Sequence, residues 1–250
     1  MTQHYLEIFV LRQFNVLGLP VHIHESYRDW LAQRLQDRQG THVVTINAEM
    51  TMQARKNPAL ANVIKQAELV VPDGSGIVLY LRSQGEKIER CPGIELSEQI
   101  VAIAAEKQWR IFLIGGAPNV VNTVAADWQQ QWSDIAIAGT HHGYFDHVIE
   151  QQIIEQLQSS QPDLILVGLG VPRQELWIQK YRYLCPNAVW IGVGGSFDIW
   201  SGLKTRAPEF FGKNNLEWLY RLYQEPWRWK RMLSLPHFVW CVTIDSVFKK

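Results

Sequence analysis

An aspartate flanked by a proline and glycines is the residue of this sequence best placed to do chemistry. Asp73 follows the short apolar run Leu69–Val71 and a proline, and a Gly-Ser-Gly tripeptide comes directly after it. The run predicts a buried strand, which the proline ends, and the glycines permit a tight bend. Asp73 is therefore expected at the carboxyl end of a strand, where open α/β sheets bind their ligands. An ordinary turn aspartate that bonds its own backbone is the alternative.

Polar side chains are also expected at the ends of two further strands. Thr45 and Asn47 alternate at the end of the predicted strand Thr41–Ile46, and Gln174 follows the glycine turn after the predicted strand Asp163–Val167. These side chains could face the same edge of the sheet as Asp73. The alternative is that Thr45 and Asn47 cap the next helix and that Gln174 is a solvated residue of a first helical turn.

Several familiar catalytic patterns are absent from the sequence. It contains neither an Asp-x-Asp pair nor a Gly-x-Ser-x-Gly turn, and its histidine pairs have no carboxylate or cysteine at metal-ligand spacing. One carboxylate, polar strand ends and many arginines suit a transfer in which a base deprotonates an alcohol. Cations, in place of Mg²⁺, would then stabilise the leaving-group charge. We expect no metal and no other cofactor.

The elements that must position these side chains alternate between strand and helix. Apolar runs predict the core strands Thr41–Ile46, Leu69–Val71, Arg110–Ile114, Ile135–Thr140, Asp163–Val167 and Ala188–Val193. Near the N-terminus, Phe9–Leu19 predicts one more strand that runs into a turn at Gly18-Leu19-Pro20. The rhythm predicts an α/β fold, a Rossmann-like core of residues 1–202 whose mostly parallel sheet carries helices on both faces.

The chain changes character after Gly202, and residues 203–250 predict a basic, aromatic, amphipathic helical appendage. Arg221, Arg228 and Arg231 share one face if a helix persists across Pro226, which is expected to break or kink it. Residues 201–250 carry nine basic against four acidic residues, so an anionic partner is expected at this end. Aromatic residues beside basic ones favour an interfacial element on anionic lipid, and a plain solvated helix face is the alternative.

Composition limits the class of protein. With 250 residues, 47% apolar and 19% charged, the chain is typical of a globular protein, and its net charge is zero. No nucleic-acid partner is expected. Three widely spaced cysteines give no disulfide framework, which favours a reducing compartment. The sequence contains neither a signal-peptide pattern at its start nor an apolar run long enough to span a membrane, so a cytoplasmic location is expected.

Four separated motifs resemble those of the WecG/TagA/CpsF glycosyltransferase family. They are Thr45-x-Asn47-Ala48-Glu49, Pro72-Asp73-Gly74-x-Gly76, Gly168-Leu169-Gly170-x-Pro172-x-Gln174-Glu175 and Gly192-Val193-Gly194-Gly195-Ser196-Phe197-Asp198, and Arg206-Ala207-Pro208 follows them. The similarity covers about residues 10–232. It implies a metal-independent, inverting transfer of N-acetylmannosamine, or its uronic acid, from a UDP-sugar donor to a polyprenyl-diphosphate-GlcNAc acceptor. Such enzymes make precursors of cell-surface polysaccharides or teichoic acids.

The resemblance also implies roles for individual residues. Asp73 matches the proposed catalytic base of the family, and the positions that match its substrate pocket are Thr45, Asn47, Arg90 and Gln174. Cys91 follows Arg90 where the family pattern has valine. The appendage arginines Arg221, Arg228 and Arg231 match residues thought to close over the site and touch the membrane. An anionic membrane surface is thus an expected partner, at the inner face of the cell membrane.

Two other functions stay open at this stage. A nucleotide-dependent oxidoreductase would use the strand–turn–helix unit around Ile111–Pro118, although the acidic ribose-binding residue expected about 20 residues later is represented only by Asp134. A non-enzymatic peripheral membrane adaptor would bind liposomes without turning over a UDP-sugar. The sequence leaves the donated sugar, the polyprenyl length and the oligomeric state open, and a homo-oligomer is among the alternatives.

Overall fold

The computed structural model describes residues 11–213 and 216–248, and the first element among them is a two-stranded antiparallel hairpin. Strand β1 (Arg12–Val16) pairs with β2 (Leu19–Ile23). The two residues between them, Leu17 and Gly18, have φ angles of 52° and 86°, the left-handed geometry that a tight two-residue hairpin requires.

The predicted turn at Gly18-Leu19-Pro20 is therefore wrong for its last two residues. Leu19 and Pro20 do not form a turn but begin β2, whose five residues are all buried. A proline fits here because a ribbon of two strands leaves one side of β2 without ladder hydrogen bonds. Phe9 lies outside the described residues.

The remaining elements of the core alternate as the sequence predicts. In chain order they are α1 (Tyr27–Gln36), β3 (Thr41–Ile46), α2 (Ala48–Lys56), α3 (Pro58–Gln66), β4 (Leu69–Pro72), α4 (Ser75–Ser83), α5 (Gly93–Glu106), β5 (Ile111–Gly115), α6 (Val120–Gln131), β6 (Ile137–His141), α7 (His147–Ser160), β7 (Leu164–Gly168), α8 (Arg173–Tyr181), β8 (Val189–Gly192) and α9 (Ser196–Trp200). A 3-10 turn, Arg182–Leu184, follows α8.

Strands β3 to β8 form one parallel sheet in the order β4-β3-β8-β7-β5-β6. The predicted α/β fold with a parallel sheet is confirmed. Because every strand runs in the same direction, the turns that follow β3, β4, β5, β7 and β8 all meet at one edge. This edge is where the sequence places its polar strand ends and its glycine turns.

Alternate side chains of the strands enter separate hydrophobic clusters on the two faces of the sheet. Val43 packs with residues of α1, α5 and α6 on one face, and its neighbour Val44 packs under α2, α3 and α4 on the other. A third cluster lies beneath α7 and α8 and contains Phe112 and Trp190. This continuous burial explains why the strands are apolar at nearly every position.

The C-terminal part of the chain is built of short helices and one longer one. They are α10 (Glu209–Lys213), α11 (Glu217–Gln224), the 3-10 turn Pro226–Arg228, α12 (Trp229–Met232) and α13 (Ser234–Phe248). The predicted break at Pro226 is confirmed, so the three appendage arginines do not lie on one continuous helix. No helix among the described residues is long and apolar enough to cross a membrane.

Helix α13 contributes to the core although it lies in the predicted appendage. It packs on α2 and α4, and Phe238, only 1% exposed, belongs with Val242 to the cluster under those helices. Burial of a phenylalanine side chain stabilises a fold by about 1.5–3 kcal/mol relative to its exposure. The last helix is therefore tied to the sheet by apolar packing.

Candidate active site

A cleft of about 700 Å³ lies at the carboxyl edge of the parallel sheet. Its floor consists of the turns after β3, β4, β5, β7 and β8, and residues 203–207 and part of 217–231 line its other side. A volume of this size is typical of pockets that enclose a ligand of several rings. The predicted site residues Thr45, Asn47, Asp73, Gln174 and Arg231 all line it.

Asp73 is half-buried at the end of β4 and faces the start of α5. Its backbone N–H donates to Ile46 O at 3.0 Å, and its Oδ1 accepts a hydrogen bond from Gly93 N at 3.3 Å. Gly93 is the first residue of α5, where the partial positive charge of the helix lies nearest to the carboxylate. The fold thus holds the carboxylate in the cleft in a fixed position.

The glycine after Asp73 is required by a close approach between β4 and β3. A Cβ atom on Gly74 would lie 2.6 Å from Cβ of Asn47, a distance that real Cβ contacts do not reach. The Asp-Gly pair therefore brings the carboxylate beside the end of β3. A side chain at position 74 would separate Asp73 from Asn47.

Thr45 and Asn47 line the cleft and also have structural roles. Asn47 is the N-cap of α2, and its side chain accepts a hydrogen bond from Met50 N at 2.9 Å. Thr45 is buried, and its hydroxyl lies 3.4 Å from Gly192 O of β8. Helix capping, the alternative interpretation, thus holds for Asn47, while both residues keep a place in the cleft wall.

Gln174 is buried, with only 1% of its surface exposed, so the alternative of a solvated first-turn residue is wrong. Its Oε1 accepts hydrogen bonds from Gly170 N at 3.2 Å and from Gly194 N at 3.1 Å. These two amides belong to the turns after β7 and β8. One side chain therefore ties together two glycine turns of the cleft floor.

Arg90 makes an ion pair with the C-terminal segment. Its Nη2 lies 2.6 Å from Oε2 of Glu217 in α11, and the two side chains are 17% and 16% exposed. Glu217 lines the cleft, whereas Arg90, which was expected to line it, does not. The structure thus brings Arg90 to the site through an acidic residue that the sequence motifs did not single out.

Cys91, the departure from the family pattern, is accommodated beside Asp73. Its backbone N–H donates to Pro72 O at 3.0 Å and so continues the contact between β4 and the start of α5. Burial, together with the negative charges of Asp73 and Glu95, raises the pKa of the Cys91 thiol to about 12. The thiol is therefore neutral at physiological pH and adds no charge to the site.

Two further ion pairs join the C-terminal segment to the floor of the cleft. Arg231 Nε lies 2.6 Å from Glu49 Oε1, and Lys204 Nζ lies 2.6 Å from Asp198 Oδ2, after β8. Within the C-terminal segment itself, Lys204 Nζ also lies 3.0 Å from Glu225 Oε1. The sequence does not reveal these pairs, because a local excess of basic residues does not show which acidic residues they contact, although Glu49 stands within the first motif.

The other two appendage arginines are placed only by their backbone. Arg221 lies in α11 and Arg228 in the turn Pro226–Arg228, and their side chains lie outside the part of the chain that the structure describes. Nothing therefore tests their predicted contacts with a substrate.

The described residues contain no group of three His, Cys, Asp or Glu side chains that could hold a metal ion. His22 serves the fold instead, because its Nδ1 accepts a hydrogen bond from Val70 N at 2.9 Å. Burial lowers the pKa of His22, which keeps the ring neutral and able to accept.

Comparison with known proteins bears on the chemistry of this cleft. A model of the glycosyl transferase WecG/TagA/CpsF family matches residues 14–250, nearly the whole chain. This chain belongs to the WecG/TagA/CpsF family. The resemblance drawn from its motifs is confirmed, and the family is one of glycosyltransferases, which disfavours both the oxidoreductase and the adaptor.

Three members of the WecG/TagA/CpsF family are similar over most of their length, and each is called N-acetylglucosaminyldiphosphoundecaprenol N-acetyl-beta-D-mannosaminyltransferase. The protein of Bacillus spizizenii is 38% identical over 209 residues, which are 83% of this chain and 80% of the relative. That of Bacillus subtilis is 36% identical over 227 residues, 90% and 88% of the two chains. That of Staphylococcus aureus strain MW2 is 34% identical over 206 residues, 82% and 80%. The roles of the individual cleft residues stay predictions.

Proposed function

We propose that this chain is an inverting glycosyltransferase. It moves N-acetylmannosamine, or its uronic acid, from UDP to GlcNAc carried on a polyprenyl diphosphate. The observation that carries the proposal is the Asp73 carboxylate, half-buried in the cleft and oriented by the start of α5, in a chain of this family. The names of the relatives supply the sugar and the acceptor.

Asp73 acts as the general base in this reaction. It takes the proton from the 4-hydroxyl of GlcNAc while that oxygen attacks the anomeric carbon of the donor. The bond from the anomeric carbon to UDP breaks as the new bond forms, and the electron pair leaves with the diphosphate. A single displacement of this kind inverts the anomeric configuration.

Cationic side chains stabilise the departing UDP. Arg90 supplies one charge, and the appendage arginines Arg221, Arg228 and Arg231 supply the others. Because Arg90 is paired with Glu217 and Arg231 with Glu49, a diphosphate that contacts either of these two arginines competes with its carboxylate partner. Donor binding is therefore coupled to a shift of the C-terminal segment.

The transfer needs no divalent metal. The carboxylates and histidines of the described residues do not form a cluster that suits one, which supports this part of the proposal. Activity should survive a molar excess of EDTA. Loss of activity in EDTA that Mg²⁺ or Mn²⁺ restores would establish a metal-assisted mechanism instead.

The C-terminal segment docks the enzyme on the inner face of the cell membrane, where the lipid acceptor lies. Its exposed aromatic residues are Phe210, Trp218, Tyr223, Trp227, Trp229 and Trp240. Lys230 and Arg231 lie among them, and aromatic residues mixed with cations favour the surface of an anionic bilayer. Replacing Trp227 and Trp229 by serine should reduce binding to anionic vesicles but not to neutral ones. A homo-oligomer stays a prediction, which sedimentation of the purified chain would test.

The test of the function is transfer by the purified full chain. A panel of UDP-sugars is incubated with a lipid-diphosphate-GlcNAc acceptor, and the products are identified by mass spectrometry and by NMR of the new glycosidic bond. We expect one added N-acetylhexosamine, or its uronate, with the anomeric configuration inverted. No transfer from any UDP-sugar, or retention of configuration, would overturn the proposal.

A further inference from the structure

A fully buried chain of polar side chains runs beneath the floor of the cleft. His42 Nε2 in β3 lies 2.7 Å from Glu175 Oε2 in α8, and neither side chain is exposed at all. The other oxygen of Glu175 accepts a hydrogen bond from Gln174 Nε2 at 2.9 Å. Gln174 Oε1 then accepts from the amides of Gly170 and Gly194.

The direction of the hydrogen bonds in this chain is fixed on both sides of Gln174. The backbone N–H groups of Gly170 and Gly194 can only donate, so the carbonyl oxygen of Gln174 must face them. The side-chain NH₂ group of Gln174 then points toward Glu175, whose Oε1 accepts its hydrogen bond. A flipped amide would turn NH₂ toward two backbone donors and leave all of these groups unsatisfied.

The hydrogen bonds of this chain also indicate which ring nitrogen of His42 carries the proton. Its Nδ1 has no hydrogen-bond partner among the described residues, whereas Nε2 faces Glu175. A proton on Nε2 has an acceptor in Glu175, whereas a proton on Nδ1 would be buried without an acceptor.

The surroundings leave the chain little freedom to rearrange. A Cβ atom on Gly192 of β8 would lie 2.5 Å from both Gln174 Nε2 and Glu175 Oε1. Gly170 and Gly194, which donate to Gln174, have φ angles of 74° and 54°. Both turns thus adopt left-handed backbone geometry at the residues that this one amide holds.

We infer that Glu175 is a positioning residue of the cleft. It fixes the orientation of the Gln174 amide, and this amide holds the turns after β7 and β8 at the spacing that a uridine diphosphate requires. Burying a carboxylate is costly unless every hydrogen bond is made, and Glu175 is buried with both of its oxygens occupied. Naming the ligand as a uridine diphosphate rests on the proposed function.

The test separates the orientation of Gln174 from general stability with two variants. Glu175→Ala removes the acceptor of Gln174, so we expect the Kd for UDP to rise about tenfold or more. Glu175→Gln still offers its side-chain oxygen to Gln174, and its NH₂ group can donate to Nε2 of His42. That exchange moves the His42 proton to Nδ1, where it has no acceptor.

Glu175→Gln should therefore unfold at a lower temperature than the wild type and yet bind UDP within about threefold of it. Calorimetry measures both quantities. The matched control is Glu150→Ala, which removes the acceptor of Trp177 Nε1 on the other side of α8 and should leave the Kd for UDP unchanged. If the Kd for UDP simply follows the loss of thermal stability through all three variants, Glu175 has only a structural role and the inference is overturned.

A measurement on the wild type covers the case in which Glu175→Ala does not fold. In protein labelled with ¹⁵N-glycine, the amides of Gly170 and Gly194 should exchange slowly with solvent and should shift when UDP is added. Rapid exchange, or no shift at saturating UDP, would overturn the inference. Sugar transfer by the wild type is measured separately and tests the proposed function. If the wild type transfers the sugar but Glu175→Ala binds UDP as tightly as the wild type, only the positioning role of Glu175 is refuted.

Discussion

The two sides of the cleft, the glycine-turn edge of the sheet and the C-terminal segment of residues 203–231, are held by different interactions. The sheet edge is fixed by strand pairing, by close backbone approaches such as that at Gly74, and by the buried Gln174. The C-terminal segment is joined to it by ion pairs between partly exposed side chains, such as Arg206 with Glu95. Pairs of this kind contribute about 0–1 kcal/mol each.

This difference separates the tasks of the two sides. A base must keep its position during the reaction, and Asp73, the proposed base, lies on the rigid side. The C-terminal segment can exchange its ion pairs for contacts with a charged ligand at little cost, while Phe238 keeps the chain after it anchored in the core. We therefore expect the cleft to combine a fixed floor with a movable wall.

The largest effect is expected at the rigid side. Replacing Asp73 by asparagine keeps the shape of the side chain but removes the base, so kcat should fall by roughly 10²–10⁴. The melting temperature and the Kd for UDP should change little, because the turn and its hydrogen bond from Gly93 can persist. Steady-state kinetics and calorimetry measure these quantities, and the exposed Asp134→Asn serves as the control. Turnover near that of the wild type would remove Asp73 from the role of base.

Phe238, which anchors the C-terminal part of the chain in the core, should affect the stability of the fold. Phe238→Ala leaves a cavity under α2 and α4, and we expect the free energy of unfolding to fall by about 3–5 kcal/mol. Urea denaturation followed by fluorescence measures this loss. Val239→Ala changes the exposed neighbour in the same helix and should cost much less. Equal stabilities of the two variants would show that α13 is not part of the cooperative core.

The Arg90–Glu217 pair, which joins the two sides of the cleft, should have a smaller effect, and this effect is on the affinity for UDP. Glu217→Gln removes the negative charge that a diphosphate has to displace from Arg90, so the Kd for UDP should fall roughly two- to fivefold. Titration calorimetry at low and high salt measures this gain, which should shrink as salt increases. Glu86→Gln, which breaks the similar pair with Arg12 at 2.7 Å on the N-terminal hairpin, should leave the Kd unchanged. Weaker binding by Glu217→Gln would mean that Glu217 supports the ligand and does not compete with it.

The smallest effect is expected at Cys91, where the two sides meet. Because its pKa is raised to about 12, the thiolate is scarce and the rate of alkylation should be low. The rate should rise about tenfold per pH unit from about pH 7 to about pH 9.5, without a plateau. Mass spectrometry of peptides alkylated with iodoacetamide measures it, and Cys91→Val identifies the peptide. A plateau near pH 9 would indicate an ordinary, exposed thiol.

The sequence predicts the sheet and its binding edge well because both depend on local patterns. Apolar runs of four to six residues give the strands, and the turns after them require glycine for reasons of backbone geometry. Asp73 and Thr45, at the ends of strands, therefore meet in one cleft with Gln174, which follows a glycine turn.

The partners of the charged residues could not be predicted in the same way. Arg90 and Glu217 lie 127 residues apart, and His42 and Glu175 lie 133 residues apart. Which acidic side chain pairs with a given basic side chain depends on how whole helices and strands pack. Phe238 was likewise assigned to an appendage, because a local aromatic and basic pattern does not reveal which single ring enters the core.

The order of the strands has a consequence for how the chain folds. β8 is the last strand in the sequence but lies between β3 and β7 in the sheet. Until it inserts, β3–β4 and β5–β6–β7 are separate pieces with unpaired edges, and such edges attract other chains. Thr45 and Gly192, which face each other across that seam, are 147 residues apart, so closing it is a slow, long-range step. During refolding from denaturant, most aggregation should therefore occur before β8 pairs with β3 and β7. The cleft forms only after this pairing.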